Sequence, residues 1–575
     1  MYQKFYIRKT DHTYANLLEA YGLANLIQKI DENAIIKFDD SDFQITLSLS
    51  QPISKETIEQ LSYFQIVKFI KNKPQTPEPE GIGKNFFDYP KQRDFRKARR
   101  EETDKAFKNK EMKKVEGALD KRLKEIIQKY EQSEGIPWEQ EYDIYGQMIS
   151  NPYSSFNKLY NNLALNKEHF PILVGEIFEK YVNPTYEYTL KKNRSIKLTH
   201  DISQLQLFNP SKGNGLNKPK ASGLGSSNIS TNWISEILKI SGALNSMLCQ
   251  SVKVGSTYDL KIFVPVFNNV SQSKKSRIVS KFKKGTKSYS PVRLDIINIL
   301  KLLKTFIEND KDYKNGKLKD TVRGLHSVYQ KDLGNNKAVT NIAFINTPEF
   351  IVIDNRNSGK NWMKLLSEHQ KIINGIEERG DAIQGLIAYR NFLSGSDVNS
   401  FFKFIYWYGA HLMHELSKDN YYTTPFRIDS LNMLFECLEK SLNSKYDNMK
   451  FQEIIQDEGF QSVAAAIRKS TVSLMYTPKD QRKYEVRYGF ARRLQNKSKT
   501  NEELVTFISD FIAGFNTERA RKSELGKAYQ KPIREDVLMK FYQLIDNVDD
   551  SKMLGAMLAA YGFALAPKEE TPVTK

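Results

Sequence analysis

The spacing of apolar residues changes once along this chain, and that change restricts the fold more than any single motif does. Up to about residue 360, short segments alternate apolar and polar positions. Phe43, Ile45, Leu47 and Leu49 alternate, and so do Tyr258, Leu260, Ile262, Val264 and Val266. Beyond 361 only the helical period remains: 362–376, 382–393, 398–416, 430–442, 451–475, 502–515, 534–545 and 552–563 all read as helices. A strand sends successive side chains to opposite faces, whereas a helix gathers positions i, i+3 and i+4. The expected fold class is therefore α+β, a mixed α/β N-terminal body followed by an all-α helical bundle.

The 575 residues are too many for one core. Punctuation by proline, glycine and charge gives five expected parts: an α+β unit at 1–72, a linker and charged arm at 73–135, a central α+β body at 136–360, a helical region at 361–448 and a helical bundle at 449–575. In the first part, 5–7 reads as a strand, 14–30 as a helix with Leu17, Tyr21, Ala24 and Ile27 on one face, 34–38 and 43–49 as a hairpin, and 55–70 as a second helix. In the central body, 145–182 reads as helix broken at Pro152 and Pro171, and 186–190 and 195–199 as short strands. Pro265 argues that the 258–267 strand lies at a sheet edge. Helix 291–309 and strands 339–345 and 350–353 follow.

Charge is the first functional signal. The net charge is +19, and a large positive excess points to a polyanionic partner. The cations are clustered. Arg93, Arg96, Lys97, Arg99 and Arg100 sit among Phe86, Phe87, Tyr89 and Phe95. Lys274, Lys275, Arg277, Lys281, Lys283, Lys284 and Lys287 occur with no acid between Ser271 and Pro291. In the bundle, Arg468, Lys469, Arg482, Lys483, Tyr484, Arg487, Tyr488, Arg492 and Arg493, with Arg519 and Arg521, read as a basic, aromatic surface that sets Tyr484 and Tyr488 one helical turn apart. The stretch 209–240 joins a glycine–lysine–asparagine loop to a helix starting near Asn232 with Trp233, Ile237 and Ile240 at helical spacing. Such a loop brings amide N–H groups and a helix N-terminus close to a phosphate.

Catalytic patterns are lacking. No G-x-x-x-x-G-K-[ST] loop and no G-x-S-x-G occurs, and the two cysteines, Cys249 and Cys437, form no C-x-x-C. His411, His414 and Glu415 in HLMHE have the wrong order and spacing for a zinc site. No metal, cofactor or catalytic residue is expected. The N-terminal MYQKFYIRKTDHTY lacks a signal-peptide apolar run, and no uninterrupted apolar stretch is long enough to span a membrane, so a cytoplasmic protein is expected. On the residues alone two other classes stay open: a stand-alone nucleic-acid-processing enzyme with a scattered site, and a basic scaffold protein binding RNA or an anionic membrane.

The loop carries a resemblance. Lys212, Gly213, Asn217, Lys218, Pro219, Lys220, Ala221 and Gly223, followed by Trp233 in a helix, are similar in order to the central segment of the large subunit of type I CRISPR effector complexes (Cascade) of the I-B and I-A kind. Residues 11–30 are similar to that family's start. The resemblance implies a non-catalytic subunit that recognises the protospacer-adjacent motif in duplex DNA, promotes unwinding into an R-loop and holds the displaced strand. Lys212, Asn214, Asn217, Lys218, Lys220 and Asn228 would read the duplex. The 274–287 cations and Arg93, Arg96, Arg99 and Arg100 would hold nucleic-acid backbone. The basic residues of the bundle would hold the displaced strand. The implied partners are guide RNA, double-stranded target DNA, Cascade backbone and small subunits, and a nuclease-helicase or a transposition adaptor. The resemblance also implies a small-subunit-like C-terminal domain, for which Met449 or Met433 would serve as an internal start.

Overall fold

The computed structural model describes the chain except residues 11–12, 65, 67, 81–85, 116, 132–138, 150–166, 184, 187–200, 204, 212–217, 220–225, 228–229, 256, 285–289, 311–315, 335–336, 421, 444–449, 527–530 and 567–575. The chain forms two compact units. One comprises Met1–Ser288 with Leu325–Phe344, the other Tyr289–Gly324 with Ile345–Lys575. It is an α+β fold whose C-terminal region is helical. The division at 288/289 assigns helix 291–309 to the helical unit, where the sequence reading had kept it in the central body.

In the first unit, β1 (Tyr2–Arg8), β3 (Gln44–Ile53) and β2 (Ile36–Asp40) form an antiparallel sheet in the order β1-β3-β2. Tyr2, Phe5, Ile7, Ile45, Leu47 and Leu49 point inward, but Phe43 is 84% exposed in the turn before β3. Helix α1 (Ala15–Ile30) is buried on every side, not on one face. The sheet covers part of it, and α8 (Trp233–Ser246) crosses it elsewhere. The crossing is close because each helix offers a glycine. A Cβ on Gly22 would lie 1.9 Å from the Leu238 carbonyl oxygen, and one on Gly242 would lie 1.9 Å from that of Leu18.

Helix α2 ends early, at Lys55–Glu59. The 55–70 segment leaves the helix because Tyr63 and Phe64 pack edge-on against Phe170, and Phe69–Lys71 (β4) pairs parallel to Phe86–Asp88 (β5). The charged arm folds as α3 (Tyr89–Lys108), α4 (Lys110–Lys114) and α5 (Ala118–Glu131). Helices α3 and α5 meet through Ala106, Ile126 and Tyr130, with Phe95, Leu119 and Leu123 at the margin. Helix α6 spans Glu139–Ile149, and α7 spans Phe170–Val182. Pro171 begins α7 and does not break it, because a proline in the first turn forfeits no helical hydrogen bond. The strands expected at 187–190 and 195–199 lie outside the described residues.

The second sheet of this unit runs β10-β11-β13-β14 (Leu248–Val254, Thr257–Phe267, Val322–Asp332, Lys337–Asn346). Strand β11 is internal and buried on both faces, contrary to the edge expected from Pro265. The pairing with β10 reaches only Phe263, opposite Leu248, so Pro265 lies beyond the partner strand on that side. Its carbonyl accepts from the Tyr21 hydroxyl at 3.0 Å. Short pairs β6–β9 (Asp201–Ser203, Ser230–Asn232) and β7–β8 (Lys218–Pro219, Ser226–Ser227) bracket the glycine–lysine loop. Helix α9 spans Gln272–Lys283.

The second unit begins with α10 (Pro291–Asn309), whose first-turn amides of Val292 and Arg293 donate to the Glu378 carboxylate. Strand β15 (Val352–Ile353) pairs with β12 (Gly316–Lys317) and is shorter than the expected 350–353. Helices α11 (Arg356–Asn374), α12 (Ala382–Gly395), α13 (Val398–Ser417) and α14 (Ile428–Asn443) follow. Rings of Phe350, Tyr389, Phe392, Phe401, Phe404 and Phe426 pack face-on and edge-on among them. The expected helix 451–475 is three, α15 (Phe451–Gln456), α16 (Glu458–Ser470) and α17 (Val472–Met475). Asp457 ends the first and caps the second by accepting from the Phe460 amide at 2.7 Å. Helices α18 (Phe490–Lys497), α19 (Asn501–Glu524), α20 (Glu535–Val548) and α21 (Ser551–Gly562) complete it. Met449 lies outside the described residues, and Met433 lies within α14.

Candidate nucleic-acid interface

Helix α3 carries the best-formed cationic surface. Asp88 caps it by accepting from the Lys91 amide at 3.0 Å, and Pro90 sits in its first turn. The helical period then sets Arg93, Arg96, Lys97 and Arg100 on one face, while Phe95 turns toward Tyr130 of α5. That face borders an open cleft of about 330 Å³. Tyr142, Asp143 and Gln147 from α6, Ser251 from β10, Tyr258, Asp259 and Leu260 from β11, Gln330 and Asp332 from β13, and Lys337 from β14 complete its lining.

The arginines divide into one that builds the cleft and others that border it. Arg96 donates to the Asp143 carboxylate at 2.7 Å and to the Ser251 hydroxyl at 3.2 Å, and its guanidinium lies 4.6 Å from the Tyr142 ring. Tyr142 in turn stacks on Tyr89 at 4.9 Å. Burial pushes the Asp143 carboxyl up, against the pull of Arg96. Arg96 is thereby fixed as a strut between helix and sheet. The Arg100 guanidinium lies 4.2 Å from the Tyr258 ring, half on the aromatic face and half in water. Arg93 and Lys97 are exposed, and Arg93 pairs with its similarly exposed neighbour Asp94 at 3.3 Å. A pair of that kind is worth little in water.

The carboxylates of the cleft are engaged within the protein. Asp259 accepts from the Tyr329 hydroxyl and the Asp332 amide, and Asp332 accepts from the Gly334 amide. Asp143 is offset by Arg96, while Asp259 and Asp332 keep their charge, so Arg93, Lys97, Arg100 and Lys337 outnumber the carboxylates left at the opening. Arg99, also expected to hold backbone, is half-buried, and its carbonyl accepts from Thr103.

The acid-free run from Ser271 is largely helix α9, and the helical period divides its cations. Lys275, Ile278, Val279 and Phe282 face inward, while Arg277, Lys281 and Lys284 are exposed at a spacing of four and three residues. Lys274 is half-buried. Lys275 is a correction to the expected set: it is 1% exposed, with its Nζ 3.4 Å from the Tyr21 ring centroid and 5.0 Å from that of Phe38. Burial holds its amine well below the ordinary lysine range. Lys283 is turned inward as well and donates to the Leu244 carbonyl at 2.8 Å. Neither reaches a phosphate from there. Phe282 belongs to the core and is closed to stacking. Lys287 lies outside the described residues.

The loop itself is described only at its roots. Lys212, Asn214, Asn217, Lys220 and Asn228 lie outside the described residues, and of Lys218 only its backbone place in β7 is known. The root is firmly held. Asn209, Glu236 and Lys239 are buried together, with Lys239 Nζ 2.7 Å from Asn209 Oδ1 and 3.0 Å from Glu236 Oε1, and Asn209 Nδ2 3.1 Å from both Glu236 oxygens.

In the second unit, the segment 482–488 is not helical, so Tyr484 and Tyr488 are not one helical turn apart. Its amides find partners elsewhere: Arg487 N donates to the Ser470 carbonyl, and Glu485 N to the Glu518 carboxylate. Three expected strand-binding groups are structural. Tyr484 is buried, the Arg519 guanidinium is buried over Phe515 at 3.1 Å and Tyr484 at 4.6 Å, and Arg468 donates to the Tyr561 carbonyl at 3.1 Å. Arg482 donates to the Thr477 carbonyl, and Arg487 lies over Phe511 at 5.2 Å. Lys469, Lys483, Tyr488, Arg492, Arg493 and Arg521 are exposed.

Sequence reading missed Tyr142, Tyr258, Gln330 and Lys337 as cleft residues, because four separate elements bring them to α3. It also missed strands β10 and β13. The turn glycines Gly255 (φ +61°) and Gly334 (φ +82°) were the available signals for both hairpins. Among the described residues no three histidine, cysteine, aspartate or glutamate side chains converge as metal ligands, and no helix is long and apolar enough to cross a membrane. No protein-family model matches the chain, and no curated protein matches it.

Proposed function

We propose that this chain is a non-catalytic nucleic-acid-binding protein, the large subunit of an RNA-guided DNA surveillance complex of the type I Cascade kind. The observation that carries the nucleic-acid part is the α3 face, where Arg93, Lys97 and Arg100 are held at one cleft beside half-exposed aromatic rings. Cations set along one helix face beside aromatic rings suit a phosphate backbone with its bases. The exposed cations Arg277 and Lys281 of α9, with Lys284 just past its end, add a second cationic face. The Cascade part rests on the ordered resemblance of Lys212–Gly223 and Trp233. In that role the loop recognises the protospacer-adjacent motif, unwinding follows, and the exposed cations of the helical unit hold the displaced strand. Guide RNA, backbone and small subunits, and a nuclease-helicase or transposition adaptor are the partners.

The test is binding of labelled single- and double-stranded oligonucleotides by the full chain across a salt series. Combined R93A, K97A and R100A should weaken single-strand binding and lower the salt slope by about 2, since each neutralised phosphate contributes roughly 0.7. An unchanged slope removes this face from the interface. Within a reconstituted guide-RNA complex, combined N217A, K218A and K220A should abolish motif preference. Cleavage of the oligonucleotide by the purified chain alone would instead favour an enzyme.

A further inference from the structure

We propose that the α3 cleft is a pocket for one unpaired nucleotide, with the base read by Gln330 and its phosphate held by Arg93, Lys97 and Arg100. This rests on the nucleic-acid reading and narrows it from a charged surface to a base-recognising site.

Gln330 carries the argument. It is 3% exposed, it lines the cleft, and its Oε1 has no hydrogen-bond partner among the described residues. A buried amide oxygen without a donor is uncommon in native folds; this one is closed to water, and a turn of the carboxamide toward the cleft that the residue lines would offer it a ligand donor. A carboxamide presents a donor beside an acceptor, the pairing that glutamine uses on the edge of adenine. A phosphate has no N–H to satisfy that oxygen, so a bare backbone leaves the floor unmatched. The rim supplies what the floor lacks. Arg93, Lys97 and Arg100 recur along one helical face, so a phosphate attached to a base on the floor meets cations at the mouth.

Size and shape agree with a single nucleotide. The cleft, about 330 Å³, lies at the small end of the range for small-molecule sites, far too small to admit a duplex. Its wall is flat. The Arg100 guanidinium lies on the exposed Tyr258 ring, and such planes stack bases splayed out of single strands. The nucleotide has two sources, a position within a strand or a free nucleotide. The chemistry is shared, and the experiment separates them.

Anisotropy is measured with the full chain and its Q330L and Q330M variants, against a short adenine oligonucleotide, an abasic strand of equal length, and AMP as competitor. Both substitutions place an apolar group in a buried site, so folding is retained, and circular dichroism checks it. The wild type should bind the adenine strand more tightly than the abasic one. Each variant should lose roughly tenfold on the adenine strand, with abasic binding and salt slope unchanged. Equal binding of the two strands by the wild type, or full retention by both variants, overturns the pocket while leaving the charged interface standing. AMP binding that depends on Gln330 without any strand binding keeps the pocket, assigns it a free nucleotide, and overturns the function proposed above.

Discussion

Replacing Gly22 with alanine should loosen the first unit by about 2 kcal/mol. The added Cβ would lie 1.9 Å from the Leu238 carbonyl oxygen, and Leu238 Cα is 2.8 Å away. Ordinary C···O contacts begin near 3.3 Å, so the helices must part by about 1.4 Å. No rotamer change absorbs this, because the obstacle is backbone. A gap of that size forfeits much of the dispersion attraction along the crossing. Overpacking of this kind costs roughly 3 kcal/mol at the upper end of its range. Alanine returns about 1 kcal/mol through its helix propensity, which leaves a net loss of about 2. Gly242→Ala should behave alike, since its Cβ would meet Leu18 in the same way. Gly175 is the control. It lies in α7 with nothing within 4 Å of a Cβ, so Gly175→Ala should stabilise by about 0.5–1 kcal/mol. Hydrogen exchange read by mass spectrometry on the full chain separates the units. Peptides from Ala15–Ile30 and Trp233–Ser246 should lose roughly 30-fold in protection, and those from Asn501–Glu524 should not change. Wild-type protection of both helices in Gly22→Ala would refute the backbone-clash argument.

Lys275→Met should stabilise the first unit at neutral pH and less so as pH rises. The folded amine titrates below the ordinary lysine value of 10.5, so the unfolded chain binds the extra proton between the two values. Wild-type stability therefore climbs with pH across that window, and denaturation of both proteins at neutral and alkaline pH should show the gap closing. His369 gives the acid counterpart. It is buried against the Tyr389 hydroxyl, and burial pushes its imidazole down to about 3. Its stabilisation is complete above the unfolded value of 6.5 and is lost as pH falls toward 3, at roughly 1.4 kcal/mol per pH unit. Thermal unfolding of His369→Gln should show a shallower acid limb. Asn209→Ala should cost about 1–3 kcal/mol, since it strips from both Glu236 and Lys239 the hydrogen-bond partner they share, and urea denaturation reads the loss.

Much of the fold was legible. The hairpin of 36–53, the Trp233 helix, strand 257–267 and most helices after 356 follow from periodicity because each buries a face matching its period. The errors have a common source. Helix α1 looked one-sided, but two glycines in different segments bring α8 onto it, where Asn25 donates to the Ser241 carbonyl, and Asn16 and Glu19 are buried as well. The 55–70 helix was lost to aromatic contacts with Phe170 and to pairing with Phe86–Asp88, both distant in sequence. The basic runs were found correctly as runs, but a run does not say which way each side chain turns. Lys275 and Lys283 were counted with Arg277 and Lys281 until the helix divided them.

The sequence by itself determined the α+β layout, the switch to helix near residue 360, the clustering of cations and the glycine–lysine loop that leads into the Trp233 helix, because periodicity and charge are properties of neighbours in the chain. The tertiary structure decided which cations remain at the surface and that Arg96 is a strut where Arg100 is a rim. It also placed Gln330 of β13 beneath a helix more than two hundred residues earlier. Burial and convergence depend on contacts between distant segments, and no local pattern encodes them.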